Sequence, residues 1–228
     1  NLAADYARRH GVERWHDDAD AILGAPDIDA VYVATLPDTH HDYVVRCAAA
    51  GKPVYVEKPM AMNPGQCAGM IDACRAAGVP LWVGYYRRAL PRFLKVRDLL
   101  DQGAIGDVRM VQSRQMQRPS AMPPAEDASA SWRDDPARSG GGLFFDMGCH
   151  TLDFLDFLFG PITDVHGCAA NRGRRSTAAD LVVASYRFAS GVMGSGTWCY
   201  CADHDDETNE IIGSRGRLLF SSTRPQPI

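Results

Sequence analysis

The chain has 228 residues, 46% of them hydrophobic and 23% charged. That balance can bury a core and excludes an intrinsically disordered chain. The formal net charge of -4 and a pI of about 6.0 remove the bulk basic field that a nucleic-acid partner needs. No run approaches the roughly 18 apolar residues of a membrane helix, so no membrane partner is expected.

Residues 2–11 read as a helix in progress that stops at Gly11. No charged-then-apolar leader is visible, and the expectation is a chain whose natural beginning lies before Asn1. Three short apolar runs follow, at 30–34, 53–56 and 80–84, rich in Val and aromatics. They read as strands of a parallel sheet buried on both faces. Between them, 38–50 places Tyr43, Val44, Cys47 and Ala48 on one helical stripe, and 64–77 does the same with Cys67, Met70, Ile71 and Cys74. Pro64 suits a first helical turn, and Gly51 and Gly78 suit helix ends. This is a βαβ series over residues 1–88.

The pattern then changes. Residues 91–102 read as a helix, 107–117 as a strand, 118–142 as a long loop and 147–159 as a helix. Strands follow at 163–171, 180–188, 191–200, 208–213 and 216–221, joined by short turns. Residues 89–228 are therefore expected to form an α+β domain with a large, mostly antiparallel, open sheet, after an α/β domain. The strands at 180–188 and 191–200 carry small or apolar residues on both faces, so the sheet needs a partner, and a homodimer or homotetramer through it is expected. Seven scattered cysteines, Cys47, Cys67, Cys74, Cys149, Cys168, Cys199 and Cys201, are odd in number. They read as reduced thiols in a cytoplasmic compartment.

Three groups of residues could carry chemistry. Glu57-Lys58-Pro59 sits at the carboxyl end of a strand, where open α/β sheets bind ligands. A lysine there can orient a substrate oxygen and pass a proton; the plain alternative is a surface Glu-Lys pair. Asp146, His150 and Asp153 follow Gly140-Gly141-Gly142 at a spacing that places all three on one helix face. An imidazole between carboxylates is a tunable acid or base. Asp146 could instead cap the helix with His150 satisfied in the core. The spacing matches no recognised ligand pattern, and no metal is expected. The turn Thr35-Leu36-Pro37-Asp38-Thr39-His40 enters a helix whose first amides favour an anion or a ribose hydroxyl; capping by Asp38 or Thr39 is the plain alternative. Cys199, Cys201 and His204 suggest a metal only weakly, since alternation puts both cysteines on one strand face.

The dinucleotide fingerprint G-x-G-x-x-G does not occur in the sequence. The order of the remaining motifs nonetheless resembles the glucose–fructose oxidoreductase / inositol dehydrogenase (Gfo/Idh/MocA) family. These are the turn from Ala34 to His40, Glu57-Lys58-Pro59, the V-G-Y-x-R-R run at 83–88, Trp132-Arg133, the glycine run through His150 to Asp153, and E-I-I-G-S-x-G at 210–216. The resemblance implies a partial Rossmann domain followed by a substrate-binding and oligomerisation domain, with the family's Gly-rich segment and its C-terminal end not represented. It implies NAD or NADP as cofactor and a sugar, cyclitol or related polyol as substrate. By the same resemblance Lys58, Asp146 and His150 take catalytic positions. Thr35, Leu36, Pro37, His40, Glu57 and Lys58 lie along the cofactor, and Arg88, Trp132 and Arg133 lie near the nicotinamide or substrate. A non-catalytic nucleotide-sensing protein on the same fold is the rival; it has no need of Lys58 together with Asp146 and His150.

Overall fold

The structure is a computed structural model that describes residues 2–119, 132–173, 176–224 and 228. It divides into two compact units, Asn1–Gly84 and Tyr85–Ile228, with the boundary four residues ahead of the one read from the sequence.

In the first unit, α1 (Leu2–His10) and a short α2 (Ala19–Leu23) precede β1 (Val31–Val33), α3 (Pro37–Ala49), β2 (Val54–Val56), α4 (Pro64–Ala77) and β3 (Leu81–Val83). The strands form a parallel sheet in the order β1-β2-β3. Val33, Val54 and Val56 are buried with Val44, Cys47 and Ala48 of α3 and Met70 and Cys74 of α4. Burial pushes the Cys47 thiol up to about 11. Pro64 opens α4, Asn63 caps it, and Gly78 ends it in the left-handed region. Ile71, expected on the buried stripe of α4, is exposed.

The sheet is not buried on both faces as the apolar runs suggested. Tyr32, Tyr55 and Trp82 stand in register on the face away from α3 and α4, and Tyr32 and Trp82 are 58% and 51% exposed. A three-residue strand alternates like any other, but here the outward residue is aromatic, so hydropathy hides the alternation. The helix α2 also escaped the sequence reading. Five residues give too little periodicity, although Asp18 accepts from the Asp20 amide at 3.0 Å as a regular cap. Lys52 then donates to the carbonyls of Ala25 and Ile28, at 2.8 and 2.6 Å, and fastens the loop between α2 and β1.

In the second unit, a 3-10 turn (Tyr86–Ala89) leads into α5 (Pro91–Asp101) and β4 (Val108–Met116). The segment read as one long loop holds a second 3-10 turn (Trp132–Asp134) and α6 (Pro136–Ser139); its stretch at 120–131 lies outside the described residues. A π-helical turn (Phe144–Gly148) runs directly into α7 (Cys149–Phe159). Then come β5 (Ile162–Ala170), β6 (Leu181–Phe188), β7 (Met193–Cys199), β8 (Asp206–Gly213) and β9 (Arg217–Phe220). The sheet order is β5-β6-β7-β4-β8-β9, antiparallel except for the central β4–β7 pair.

Phe93 and Val96 of α5 and Phe154, Leu155 and Phe159 of α7 pack on one face of this sheet, against Val111, Tyr186, Phe188, Trp198, Ile211, Leu218 and Phe220. Two glycines on that face of β7 make room for rings. A Cβ at Gly194 would run into the ring of Tyr186, and one at Gly196 into the ring of Trp198. The rings cover the bare backbone instead of a side chain. Past β9, the buried carboxylate of Glu207 accepts from the Ser222 amide at 2.7 Å, the Ser221 hydroxyl at 2.8 Å and the Thr223 amide at 3.1 Å. A carboxylate buried on a sheet needs such donors, and here they fold the end of the chain back over β8.

Gly196→Ala is expected to destabilise the second unit by about 1–3 kcal/mol, because the methyl must displace an indole that is already close-packed. Ser195→Ala, on the opposite face, should leave the unfolding midpoint nearly unchanged. Urea denaturation followed by tryptophan fluorescence compares the two.

Candidate active site

In the first unit, the candidate residues lie on the loops at the carboxyl ends of β1 and β2. The first turn of α3 starts at Pro37 with Leu36 as its cap residue and has no side-chain cap, so the capping alternative for Asp38 and Thr39 is not what forms. The Thr39 hydroxyl is 2.9 Å from the Leu36 carbonyl and shares a 2.8 Å hydrogen bond with the Thr35 hydroxyl. The start of a helix beside two hydroxyls fits the hydroxyls or phosphates of a dinucleotide.

Glu57 is fixed on two sides. It accepts from the Tyr32 hydroxyl at 2.5 Å and from the Lys58 amide at 3.1 Å. Its carboxylate also lies against Gly84, where a Cβ would come within 3.2 Å of both oxygens. The bond to Glu57, with burial adding to it, pushes the Tyr32 hydroxyl up to about 12, since ionising it would set two negative charges together. Lys58 follows and joins Pro59 through a cis peptide. His40 is 0% exposed. Its Nδ1 is 3.0 Å from the Pro59 carbonyl oxygen and 3.3 Å from that of Met60, and its Nε2 is 3.1 Å from that of Thr35. The ring therefore faces backbone on both edges and has no surface to offer a ligand.

In the second unit, the candidate residues lie around α7. Asp146 sits on the π-helical turn, a geometry that is rare and frequent at functional sites. Its side chain is 5% exposed, and Arg133 Nε donates to it at 2.7 Å. The Arg133 guanidinium also stacks on Trp132, 4.3 Å from the ring centre. His150 is buried, with the rings of Tyr85 and Tyr86 edge-on at 6.4 and 6.0 Å. Asp153 does not join Asp146 and His150 in one acidic group as the spacing suggested. Its side chain is 7% exposed and takes Arg88, with Nε at 2.9 and 3.0 Å and Nη2 at 2.5 Å. Burial pushes the Asp153 carboxyl up, and the Arg88 hydrogen bonds pull it partly back. Arg88 also lies over Phe157 at 5.3 Å, so it ties the 86–89 turn to α7.

The sequence reading singled out neither Tyr85 nor Tyr86 for a role. The available signal was two aromatics in a row directly after a buried strand, where a turn normally carries polar residues. Arg87, within the V-G-Y-x-R-R run at 83–88, has no role assigned from the sequence. It is buried, its Nη1 has no hydrogen-bond partner, and burial pushes its pKa down. Cys199 and Cys201 face each other with their sulfurs 3.7 Å apart, and among the described residues no group of three or more His, Cys, Asp or Glu could hold a metal ion.

These elements make up a parallel-sheet unit of Rossmann type and a unit with a large open sheet. A family model described as "Oxidoreductase family, NAD-binding Rossmann fold" matches residues 1–85, and one described as "GFO/IDH/MocA C-terminal domain" matches residues 93–219. The chain belongs to the GFO/IDH/MocA family of NAD-binding oxidoreductases. It is 35% identical to oxidoreductase P35 of Formosa agariphila over 95% of this chain and 67% of that protein. It is 30% identical to the scyllo-inositol 2-dehydrogenase (NAD(+)) of Bacillus subtilis over 99% of this chain and 65% of that one. A solved levoglucosan dehydrogenase in complex with NADH and levoglucosan superposes with a TM-score of 0.86 at 29% identity, covering 96% of this chain and 61% of that structure. The chain thus spans roughly two thirds of the length of the relatives it matches. No helix among the described residues is long and apolar enough to cross a membrane.

Removing Arg88 should expose the cost of the carboxyl it covers. Arg88→Met is expected to lower stability by about 2–3 kcal/mol, below the full cost of a deeply buried pair because Arg88 is itself partly exposed. Asp153→Asn in the same background should recover most of that loss. A double-mutant cycle by chemical denaturation reads the coupling, and simple additivity would show that the pair contributes nothing.

Proposed function

We propose that the protein is an NAD-dependent dehydrogenase of a secondary alcohol on a sugar, cyclitol or related polyol. The observation that carries this reading is the buried His150, held edge-on by Tyr85 and Tyr86 and following directly on a π-helical turn that bears the Arg133-bound Asp146. The printed names of the relatives, a scyllo-inositol dehydrogenase and a levoglucosan dehydrogenase, support the substrate class.

Bound nicotinamide supplies the hydride acceptor or donor. His150 takes the hydroxyl proton when the alcohol is oxidised and returns it in the reverse direction. Lys58 hydrogen-bonds the reacting oxygen and stabilises its developing negative charge. Asp146 orients His150 or binds a neighbouring hydroxyl, and Arg133 holds Asp146 in place for either task. Thr35, Leu36, Pro37 and Glu57 line the cofactor. Trp132 and Arg133 help select which carbon of a many-hydroxyl substrate reacts, while Arg88 acts by holding Asp153.

His150→Ala and Lys58→Met should each lower kcat by at least about 100-fold, within the range for a general acid–base group, with cofactor affinity changed much less. Steady-state NAD reduction over a panel of cyclitols and anhydrosugars, corrected for folded fraction, tests this. Retained kcat in both variants would remove these residues from the reaction.

We further propose a homodimer or homotetramer through the sheet face that α5 and α7 leave uncovered. Val183, Met193 and Leu219 are exposed on that face, around a shallow groove of about 310 Å³ lined by Gln112, Arg114, Ser195 and Thr197. Val183→Lys with Met193→Lys should convert the assembly to monomers in light scattering. A wild-type monomer at micromolar concentration would overturn the proposal.

A further inference from the structure

We infer that His40 is a positioning residue: its ring links the Thr35 turn to the Pro59–Met60 backbone, and so sets where the neighbouring Lys58 is presented. The two loops leave adjacent parallel strands, β1 and β2, at their carboxyl ends, where the paired register stops at Val33 and Val56. The Glu57 amide donates to the Val33 carbonyl at 2.9 Å, the last backbone bond between the two strands. From there the chain needs another connection, and His40 supplies it.

The geometry is that of a bridge. Nε2 is 3.1 Å from the Thr35 carbonyl oxygen, and Nδ1 is 3.0 and 3.3 Å from those of Pro59 and Met60. The ring is fully buried, so no water competes for these carbonyls; the nitrogen that carries the proton donates to the loop it faces and the other edge packs against the second loop, so one hydrogen bond and one close contact join the two, and such a buried bond is costly to lose. His40 lies on the first turn of α3, whose own rotation is fixed by Val44, Cys47 and Ala48 in the core. Core packing of α3 is thereby transmitted through one imidazole to the backbone one residue past Lys58. A side chain that must meet a reacting oxygen needs such backing, because a supporting shell left loose costs rate even when every reacting group is present.

The inference rests on the dehydrogenase reading for its kinetic consequence but not for its structural one. The chain contains three lysines, Lys52, Lys58 and Lys95. Lysine-selective ¹³C labelling of the 228-residue chain therefore gives a spectrum in which Lys58 can be followed, with two controls. Lys52 is tied to the Ala25 and Ile28 carbonyls, and Lys95 lies on α5 in the other unit. In His40→Ala the Lys58 side-chain signal is expected to shift or broaden while those of Lys52 and Lys95 hold. In His40→Gln, which keeps an amide donor, the Lys58 signal should return part of the way to its wild-type position. In parallel, turnover should fall at least about tenfold in His40→Ala, mainly in kcat, and recover in part in His40→Gln.

An unchanged Lys58 signal in folded His40→Ala overturns the inference. If His40→Ala loses the dispersion of all three signals, His40→Leu, which fills the space without a donor, is judged by the same criterion: a Lys58 signal that moves alone supports the bridge, and one that does not move overturns it. A Lys58 signal that responds in a protein without dehydrogenase activity upholds the bridge and sinks the proposed function, so the two fail separately.

Discussion

One helix in the second unit answers to two demands at once, and the arrangement of that unit follows from it. Phe154, Leu155 and Phe159 must lie against the sheet for α7 to bury its apolar side, and that requirement fixes the rotation of the helix. With rotation fixed, His150 can face only one way, toward Tyr85 and Tyr86, and Asp153 only toward Arg88. The π-helical turn ahead of α7 then resets the phase by widening one turn, which lets Asp146 take Arg133 without any change in how α7 packs. The close contact of Phe144 with Gly148 and of Phe145 with Gly141 belongs to the same device, because a Cβ at either glycine would collide with those rings.

The first unit meets a similar need with other means. Its three-residue strands are short, and their carboxyl ends carry the residues of interest on irregular backbone. Rigidity there comes from side chains that reach backbone carbonyls or carboxylates: Lys52 on the 25–28 loop, Tyr32 on Glu57, and His40 on two loops together. Each of these connects segments distant in sequence and adjacent in the sheet. None of them is visible as a spacing pattern, since the partners lie about 20 or more residues apart for all but the Thr35 contact and meet only because parallel strands align.

The architecture was largely legible in the sequence. Runs of Val between helical stripes ended by glycine read as parallel strands and their crossovers, and the segments at 107–117 and after Phe159 match the six strands of the second sheet to within two residues. What the sequence concealed falls into two kinds. Outward aromatics such as Tyr32 and Trp82 look buried to any hydropathy reading, so the exposed face of the first sheet was not foreseen. Spacing on a helix face also says who can meet but not who is already engaged, so the grouping of Asp153 with His150 missed Arg88, which arrives from a turn 65 residues earlier. Asp146 and His150 stand out in the sequence because the glycine run and two carboxylates around one histidine are unusual together. The ion pair that holds Asp146 comes from a segment whose composition reads simply as loop.

The central β4–β7 pair has a consequence for how the second unit comes into being. It is the one parallel junction of that sheet, joining Met110 to Met193 across about 80 residues of chain, whereas β5–β6, β6–β7 and β8–β9 are close neighbours in sequence. Local hairpins can form early, but the two halves of the sheet cannot join until the long intervening loop has closed, and loop closure is entropically unfavourable before any contact rewards it. Strand β4, whose antiparallel pairing with β8 also spans about 100 residues, is therefore where assembly of this unit is slowest. Substitutions along it should act on the rate of folding more than on the rate of unfolding.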